Sequence, residues 1–269
     1  MIIRTDGLVL RTHKMTETSL VVVVYTRTWG KVRLAAKGAR RPKSRFGAAF
    51  QPITFGSYVY YRKDGRDLQT VSEADIQHPF DGVKQDHERL GYASAVCDLL
   101  DHVTVDEDPN AFLLSITVDA LRWMENVPSG LMELPLWYFQ VKAAGCLGYR
   151  PQFSGCAITG ERVDGSRVWF SVEHGGVVKQ RTDGPGIWLD APTISFLEHL
   201  QTRTPDRIDM ELFGTVDSDQ CRSAIRLFLD YHLDERRPKS FLYLEKLQNT
   251  RASRAAIAAD APIVGRISQ

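Results

Sequence analysis

One stretch of the sequence, KVRLAAKGARRPKSRFG at residues 31–47, concentrates positive charge. It contains seven basic residues and no acidic one, whereas the whole chain of 269 residues has a net charge of only +1. Because cations without neighbouring carboxylates attract polyanions, this stretch indicates a surface that binds phosphates. Its basic residues are Lys31, Arg33, Lys37, Arg40, Arg41, Lys43 and Arg45.

The spacing of these cations predicts two different settings. A strand over residues 31–37 would send its alternate apolar residues to one face and Lys31, Arg33 and Lys37 to the solvent face. Residues 38–45 have no periodic apolar partner and contain a proline, which predicts an exposed loop with the other four cations. The two settings together would form one basic surface.

A later strand, predicted over residues 52–63, adds aromatic side chains. Its alternation places Tyr58, Tyr60 and Arg62 on the outer face. Aromatic rings beside cations stack the bases of single-stranded nucleic acid, at about 1–3 kcal/mol per base. We therefore expect these three residues to extend the basic surface as a stacking platform. The face suited to the core carries Ile53, Phe55, Val59 and Tyr61.

The first 77 residues predict five short strands, since they are rich in β-branched and aromatic residues between turn signals. The strands cover residues 2–12, 18–26, 31–37, 52–63 and 67–76. A sheet this small closes its edges most readily as a barrel, and five strands is the count of an OB-fold. An SH3-like barrel fits the count almost as well, so the strand pattern alone leaves both open.

After residue 79 the apolar residues adopt the three- and four-residue spacing of amphipathic helices. We expect an α+β chain with a five-stranded barrel at residues 1–79, an all-helical domain at 80–248 and a flexible tail at 249–269. A small glycine-rich insert with short β segments interrupts the helical domain at about residues 151–190. The predicted helices cover residues 80–104, 110–125, 131–147, 191–201, 219–233 and 240–247.

Charge and motifs argue against an enzyme. Residues 1–80 carry a net charge of +8 and the rest carries −7, so the barrel is the basic part of the chain. The motifs of common hydrolases and nucleotide-binding enzymes are absent from the sequence. A metal-dependent nuclease needs clustered carboxylates near the basic face, but residues 1–60 contain only Asp6 and Glu17. With no signal peptide or membrane-spanning apolar run, we expect a soluble, cytoplasmic protein.

Several segments resemble the RecO family of bacterial recombination mediators, in the places and order that the family shows them. They are GLVLRT, TETSLVVVVYTRTWGKVRLAAKGARRPKSRFG, LGYASAVCDLLD, AAGCLGYRPQFSGC and FLDYHLDERRPKSFLYLEKL. The KGARRPKSRFG string is the most specific of these. The resemblance extends from residue 1 to about residue 247, and its DNA contacts would fall on the seven basic residues of the stretch 31–47.

The resemblance implies that the barrel at residues 1–79 is an OB-fold and that the helical domain carries a zinc-finger-like insert. It also implies a function in DNA repair and homologous recombination without enzymatic turnover. Members of the family bind single- and double-stranded DNA and anneal complementary strands at the bacterial nucleoid. They engage the C-terminal tail of the single-strand-binding protein SSB, and they act with RecR, and often RecF, to load RecA. The SSB tail would need an apolar pocket with a basic rim in the helical domain, for which Arg236 and Lys239 are candidates.

Many relatives hold a structural zinc ion in the insert with two CxxC pairs, but this sequence departs from that pattern. Cys156 is followed by Ala157, Ile158 and Thr159, and Lys179 and Thr182 stand where the second pair is expected. We therefore expect no metal or other cofactor, and an insert held by packing around Val168, Phe170 and Trp188. The alternative to a DNA-binding mediator is an OB-fold RNA-binding factor associated with the ribosome or translation.

Overall fold

The computed structural model describes residues 1–44, 46–233, 240–241 and 244. It begins with five strands that form a closed barrel in the order β1-β2-β3-β5-β4. Neighbouring strands are antiparallel except β3 and β5, which pair in parallel. This arrangement is an OB-fold, as predicted, because a barrel of consecutive hairpins contains no parallel pair. The strands are β1 (Ile2–Lys14), β2 (Leu20–Thr26), β3 (Gly30–Ala36), β4 (Phe55–Tyr61) and β5 (Leu68–His78).

The barrel interior is filled by one face of each strand and by two phenylalanines from the segment between β3 and β4. Phe46 and Phe50, the latter in the short 3-10 helix Gly47–Phe50, pack against each other at 4.9 Å between ring centroids. Phe50 also stacks on Tyr58 at 6.1 Å. The interior cluster comprises Ile3, Val9, Val22, Val24, Val32, Leu34, Ala36, Phe46, Phe50, Tyr58, Tyr60 and Val71.

The second part of the chain is helical, with a small antiparallel sheet of order β7-β6-β8 inserted after α4. The helix predicted over residues 80–104 is broken in two, because the Asp86 carboxylate accepts the N–H groups of Glu88 and Arg89 and so begins a new helix. No helix in the described ranges is long and apolar enough to cross a membrane. The elements are α1 (Asp81–Lys84), α2 (His87–Val103), α3 (Ala111–Asn126), α4 (Glu133–Cys146), β6 (Arg167–Ser171), β7 (Gly176–Val178), β8 (Gly186–Asp190), α5 (Ala191–Thr202), α6 (Met210–Phe213) and α7 (Ser218–His232).

One face of the barrel exterior is buried against the helices. Leu8, Leu10, Val23 and Tyr25 belong to the same apolar cluster as the cores of α2, α3 and α4. The Tyr25 hydroxyl also accepts the N–H of Asn110, the residue that caps the start of α3. The outer face of β1 and β2 is therefore an internal surface of the protein.

A buried lysine joins β3 to the end of α2. Lys31 Nζ donates to the carbonyl oxygens of Asp101 and Thr104, at 2.7 Å each, and lies 3.1 Å from the carboxylate of Asp101. Only 8% of Lys31 is exposed. The last carbonyl groups of a helix lack partners within the helix, and a cation there also complements the helix dipole. Lys31 thus acts as a C-terminal cap supplied by the barrel.

The segment between α2 and α3 continues this junction along the end of β3. Glu107 donates its N–H to the carbonyl oxygen of Lys31 at 3.1 Å. Gly30 has a φ of +59°, and a Cβ there would lie 2.3 Å from the carbonyl oxygen of Asp108. Glycine at this position therefore permits the close approach of the two backbones.

Replacing Lys31 with methionine should lower the free energy of unfolding by about 3 kcal/mol. Methionine has a similar length but leaves the end of α2 uncapped and removes the buried partner of Asp101. Urea denaturation followed by circular dichroism measures the change. Lys37→Met, in an exposed position, is the matched control and should stay within about 0.5 kcal/mol of the parent protein. Equal stabilities of the two variants would contradict a capping role for Lys31.

Candidate nucleic-acid interface

The basic loop, residues 37–46, follows β3 and is built from consecutive turns. Arg41 donates its N–H to the carbonyl oxygen of Gly38 at 3.1 Å, and Ser44 donates to that of Arg41 at 2.9 Å. The loop is fixed at its far end by Phe46, which is buried in the barrel interior. Its cations are therefore displayed on a folded segment, so fewer conformations are lost when they bind a ligand.

The basic loop packs beside the turn that joins β1 to β2. Arg40 donates its backbone N–H to the carbonyl oxygen of Thr18 at 3.1 Å. Its guanidinium Nη1 donates to the carbonyl oxygen of Glu17 at 3.0 Å. The carboxylate of Glu17 itself pairs with Lys14 at 2.6 Å, so it does not neutralise the loop.

Four cations of the basic loop remain available to a ligand. Lys37, Arg40, Arg41 and Lys43 are all exposed. None of the four forms an ion pair with a carboxylate in the part of the chain that the structure describes. The prediction of an exposed loop is confirmed for Arg40, Arg41 and Lys43, whereas Arg45 lies outside the described residues. Lys37, predicted on the solvent face of the strand, is exposed just after the end of β3. The loop can attract phosphates, but it presents no aromatic ring for stacking.

The prediction that the β3 cations share a solvent face is wrong for Lys31 and only partly met by Arg33. The outer face of β3 meets the helical domain, where Lys31 is buried at the end of α2. Arg33 forms an ion pair with Asp106 at 2.9 Å, and about 40% of its side chain is exposed. The acidic residues Asp101, Asp106, Glu107 and Asp108 indicate in the sequence that nearby cations will be paired. Nothing in the sequence indicates which cations they meet.

The predicted tyrosine platform is also wrong. Tyr58 and Tyr60 are fully buried in the barrel interior, and the opposite residue Tyr61 is 48% exposed. Burial raises the pKa of both phenols, to about 12 for Tyr60, so they remain neutral. The alternation of side chains along β4 is predicted correctly, but the face assigned to solvent is the interior face of the barrel. In a barrel the tyrosines fill the interior, while Phe55 and Val59 are buried on the outer side.

Arg62 was predicted beside the tyrosines on the solvent face, but it contacts residues at the junction between the barrel and the helical domain. Its guanidinium carbon lies 3.8 Å above the centre of the Trp29 ring. The same group pairs with Asp64 at 3.3 Å and with Glu107 at 3.1 Å, and only 18% of the side chain is exposed. Arg62 is therefore already occupied by protein contacts.

The insert contains one sulfur ligand rather than a zinc site. Burial alone would raise the pKa of Cys156, but the Thr159 hydroxyl and the backbone N–H groups of Thr159, Lys179 and Ile158 donate hydrogen bonds that lower it to about 7. Lys179 also forms an ion pair with Glu161. The described residues contain no group of three His, Cys, Asp or Glu side chains that could hold a metal ion. The donor set does not fit a closed zinc site.

A groove in the helical domain combines aromatic and basic side chains. It is lined by Tyr149, Arg150, Phe228 and His232, and has a volume of about 500 Å³. Tyr149 stacks on His232 at 5.0 Å. Phe228 also lines an apolar pocket against Phe153, and thus connects the two spaces. The candidate rim residues Arg236 and Lys239 follow His232 in the chain and lie outside the described residues.

Comparisons with known proteins agree with the resemblance seen in the sequence. Residues 1–80 match the family model described as Recombination protein O N terminal, and residues 84–241 match Recombination protein O C terminal. The DNA repair protein RecO of Bacillus mycoides (strain KBAB4) is 34% identical over 86% of this chain and 91% of its own length. The proteins of that name from Nocardioides sp. (strain ATCC BAA-499 / JS614) and Desulforamulus reducens are 30% and 25% identical, over 91% and 94% of this chain and 100% and 98% of theirs.

Because Tyr58 and Tyr60 are buried, we expect their replacement to affect stability rather than DNA binding. Tyr58 donates a hydrogen bond to the carbonyl oxygen of Ala49 at 3.2 Å, so Tyr58→Phe should cost about 1 kcal/mol. The buried Tyr60 hydroxyl has no hydrogen-bond partner within the described ranges, so Tyr60→Phe should stay within about 0.5 kcal/mol. Urea denaturation and a DNA titration test both variants. Weaker DNA binding at unchanged stability would restore the stacking interpretation.

Removal of metal ions should leave the insert intact. We expect no tightly bound zinc in the purified protein, because Cys156 has no second sulfur ligand beside it. Treatment with a chelator should leave the thermal unfolding midpoint and the circular dichroism spectrum unchanged. Elemental analysis checks the metal content directly. One zinc ion per chain, together with a lower midpoint after chelation, would overturn this expectation.

Proposed function

The chain belongs to the recombination protein O family of DNA repair proteins, and we propose that it is a recombination mediator that anneals complementary DNA strands. The observation that carries this proposal is the basic loop, where Lys37, Arg40, Arg41 and Lys43 are exposed and form no ion pair with a carboxylate of any described residue. Since phosphate contacts supply affinity without reading bases, such a loop suits a protein that must act on any sequence.

The mechanism that we propose is electrostatic and stoichiometric. Two complementary strands repel each other through their phosphates, and cations between them weaken that repulsion. The basic loop would neutralise phosphates of both strands while leaving the bases free to pair, since it contributes no aromatic ring. The protein would hold the strands together until pairing is complete, without making or breaking a covalent bond.

We further propose that the protein helps RecA to load onto single-stranded DNA coated with SSB, together with RecR and in some settings RecF. The C-terminal tail of SSB would bind in the groove of the helical domain. The apolar end of the tail would contact Tyr149 and Phe228 in this groove, and its acidic residues suit Arg150, which forms no ion pair with any residue that the structure describes. This contact would bring the basic loop to DNA that SSB already covers.

Reversing two charges of the loop should weaken DNA binding for every sequence alike. If about five phosphates are contacted, the logarithm of the affinity for single-stranded DNA should fall against the logarithm of the salt concentration with a slope of about −3.5. Arg40→Glu combined with Arg41→Glu should reduce the slope to about −2 and the affinity at low salt by at least about tenfold. Fluorescence anisotropy over a series of salt concentrations measures both.

The matched control carries the same charge change on the helical domain. Arg203 and Arg207 are exposed and remote in sequence from the loop, so their double replacement with glutamate should leave the slope unchanged. Both variants should also be compared in the annealing of SSB-coated strands. Unchanged annealing by the Arg40/Arg41 variant would refute the proposal, and a preference for RNA over DNA of equal length would favour the RNA-binding alternative.

A further inference from the structure

The small sheet of the insert has one face in the main apolar core, and part of its other face is covered in a smaller cluster of Cys156, Trp169 and Val178. Val168 and Phe170 of β6 belong to the main apolar cluster. Trp169 lies on the opposite face and is paired across the strands with Trp188 of β8. Trp169 is 7% exposed and Trp188 is 38% exposed, so Trp188 packs against Trp169 with part of its ring, as predicted, and leaves the rest open. A large exposed aromatic side chain is thus left without a covering element in the described residues.

The exposed indole is held in a fixed orientation. The rings of Trp169 and Trp188 meet edge to face, with 5.3 Å between their centroids. Trp169 is itself fixed, because its Nε1 donates to the Thr182 hydroxyl and its ring lies against Gly186, where a Cβ would come within 2.7 Å of the ring. Any side chain at position 186 would displace Trp169. A ligand that stacks on Trp188 therefore meets a ring that loses little freedom on binding.

Two arginines lie on the same face as the tryptophans. The guanidinium carbon of Arg181 is 5.1 Å from the centre of the Trp169 ring, and Arg181 forms no ion pair with any described residue. Arg167 is two residues before Trp169 on β6 and shares its face; it pairs with Asp190 at 3.3 Å but is 62% exposed. The cations outnumber the carboxylate on this face, so it complements a ligand that has both a flat ring and a negative charge.

We propose that this face binds an unpaired nucleotide of single-stranded DNA, with its base stacked on Trp188 and its phosphate beside Arg181. The inference rests on the proposed function and adds to it a second DNA contact on the helical half of the chain. Base stacking on an indole is tolerant of sequence, as a strand-annealing protein requires. The basic loop then supplies phosphate contacts, and the insert supplies the stacking that the buried Tyr58 and Tyr60 do not.

The test compares Trp188→Ala with the parent protein on two single-stranded probes, oligothymidylate and an abasic strand of the same length. On oligothymidylate the variant should bind about tenfold more weakly. Its salt dependence should be unchanged, because no phosphate contact is lost. On the abasic strand the two proteins should bind equally. Trp188→Phe should retain part of the affinity, and the parent's DNA-dependent tryptophan quenching should diminish in this variant.

Phe112→Ala is the matched control, because it removes an aromatic side chain that is 59% exposed on α3. This variant should bind both probes as the parent does. Equal oligothymidylate affinities of Trp188→Ala and the parent would overturn the inference, and so would an equal loss on the abasic strand. Loss of SSB binding with intact DNA binding would instead assign the face to a protein. The Arg40/Arg41 variant separates the two proposals. If its DNA binding has the same salt dependence as that of the parent, the basic loop is not a DNA contact. The result for Trp188→Ala then decides on the insert independently.

Discussion

The contact between Lys31 and the end of α2 is the constraint on which the arrangement of the protein depends. A lysine with 8% exposure is costly to bury unless its charge and its donors are all matched. Two carbonyl oxygens and one carboxylate do so here, and all three belong to the last turn of α2 and the residue that follows it. The contact therefore fixes both the position of α2 on the barrel and the side of the barrel that faces solvent.

This placement explains why one basic stretch has two uses. The cations of β3 meet acidic residues at the end of α2 and just after it. Lys31, paired with Asp101, and Arg33, paired with Asp106, therefore stabilise the junction. The cations of the basic loop lie beyond the end of the strand, where the described part of the helical domain forms no ion pair with them. The net charge of the stretch thus overstates the charge that DNA could meet, and the part that remains is concentrated at one end of the barrel.

The sequence predicted the strands and helices more accurately than the contacts that their side chains make. The five strands and the helices α3, α5 and α7 follow from local periodicity within each segment, whereas the choice of an OB-fold over an SH3-like barrel came from the resemblance to a family. The faces of β4 could not be predicted in this way, because both of its sides are buried and alternation does not tell which side is the interior of a barrel. The partners of Lys31 and Arg62 are also invisible to local patterns, since Asp101 and Glu107 lie far away in the sequence.

The covered face of the barrel has a consequence for how a strand could follow the protein. OB-folds commonly bind oligonucleotides across strands 2 and 3, but here Val23 and Tyr25 of β2 are buried under the helices. A strand held at the basic loop cannot continue across that face. If it is also to be stacked, an exposed aromatic side chain is needed away from that covered face. Trp188 on the insert meets that requirement, because its sheet packs against the helices through Phe170 and leaves the indole facing solvent.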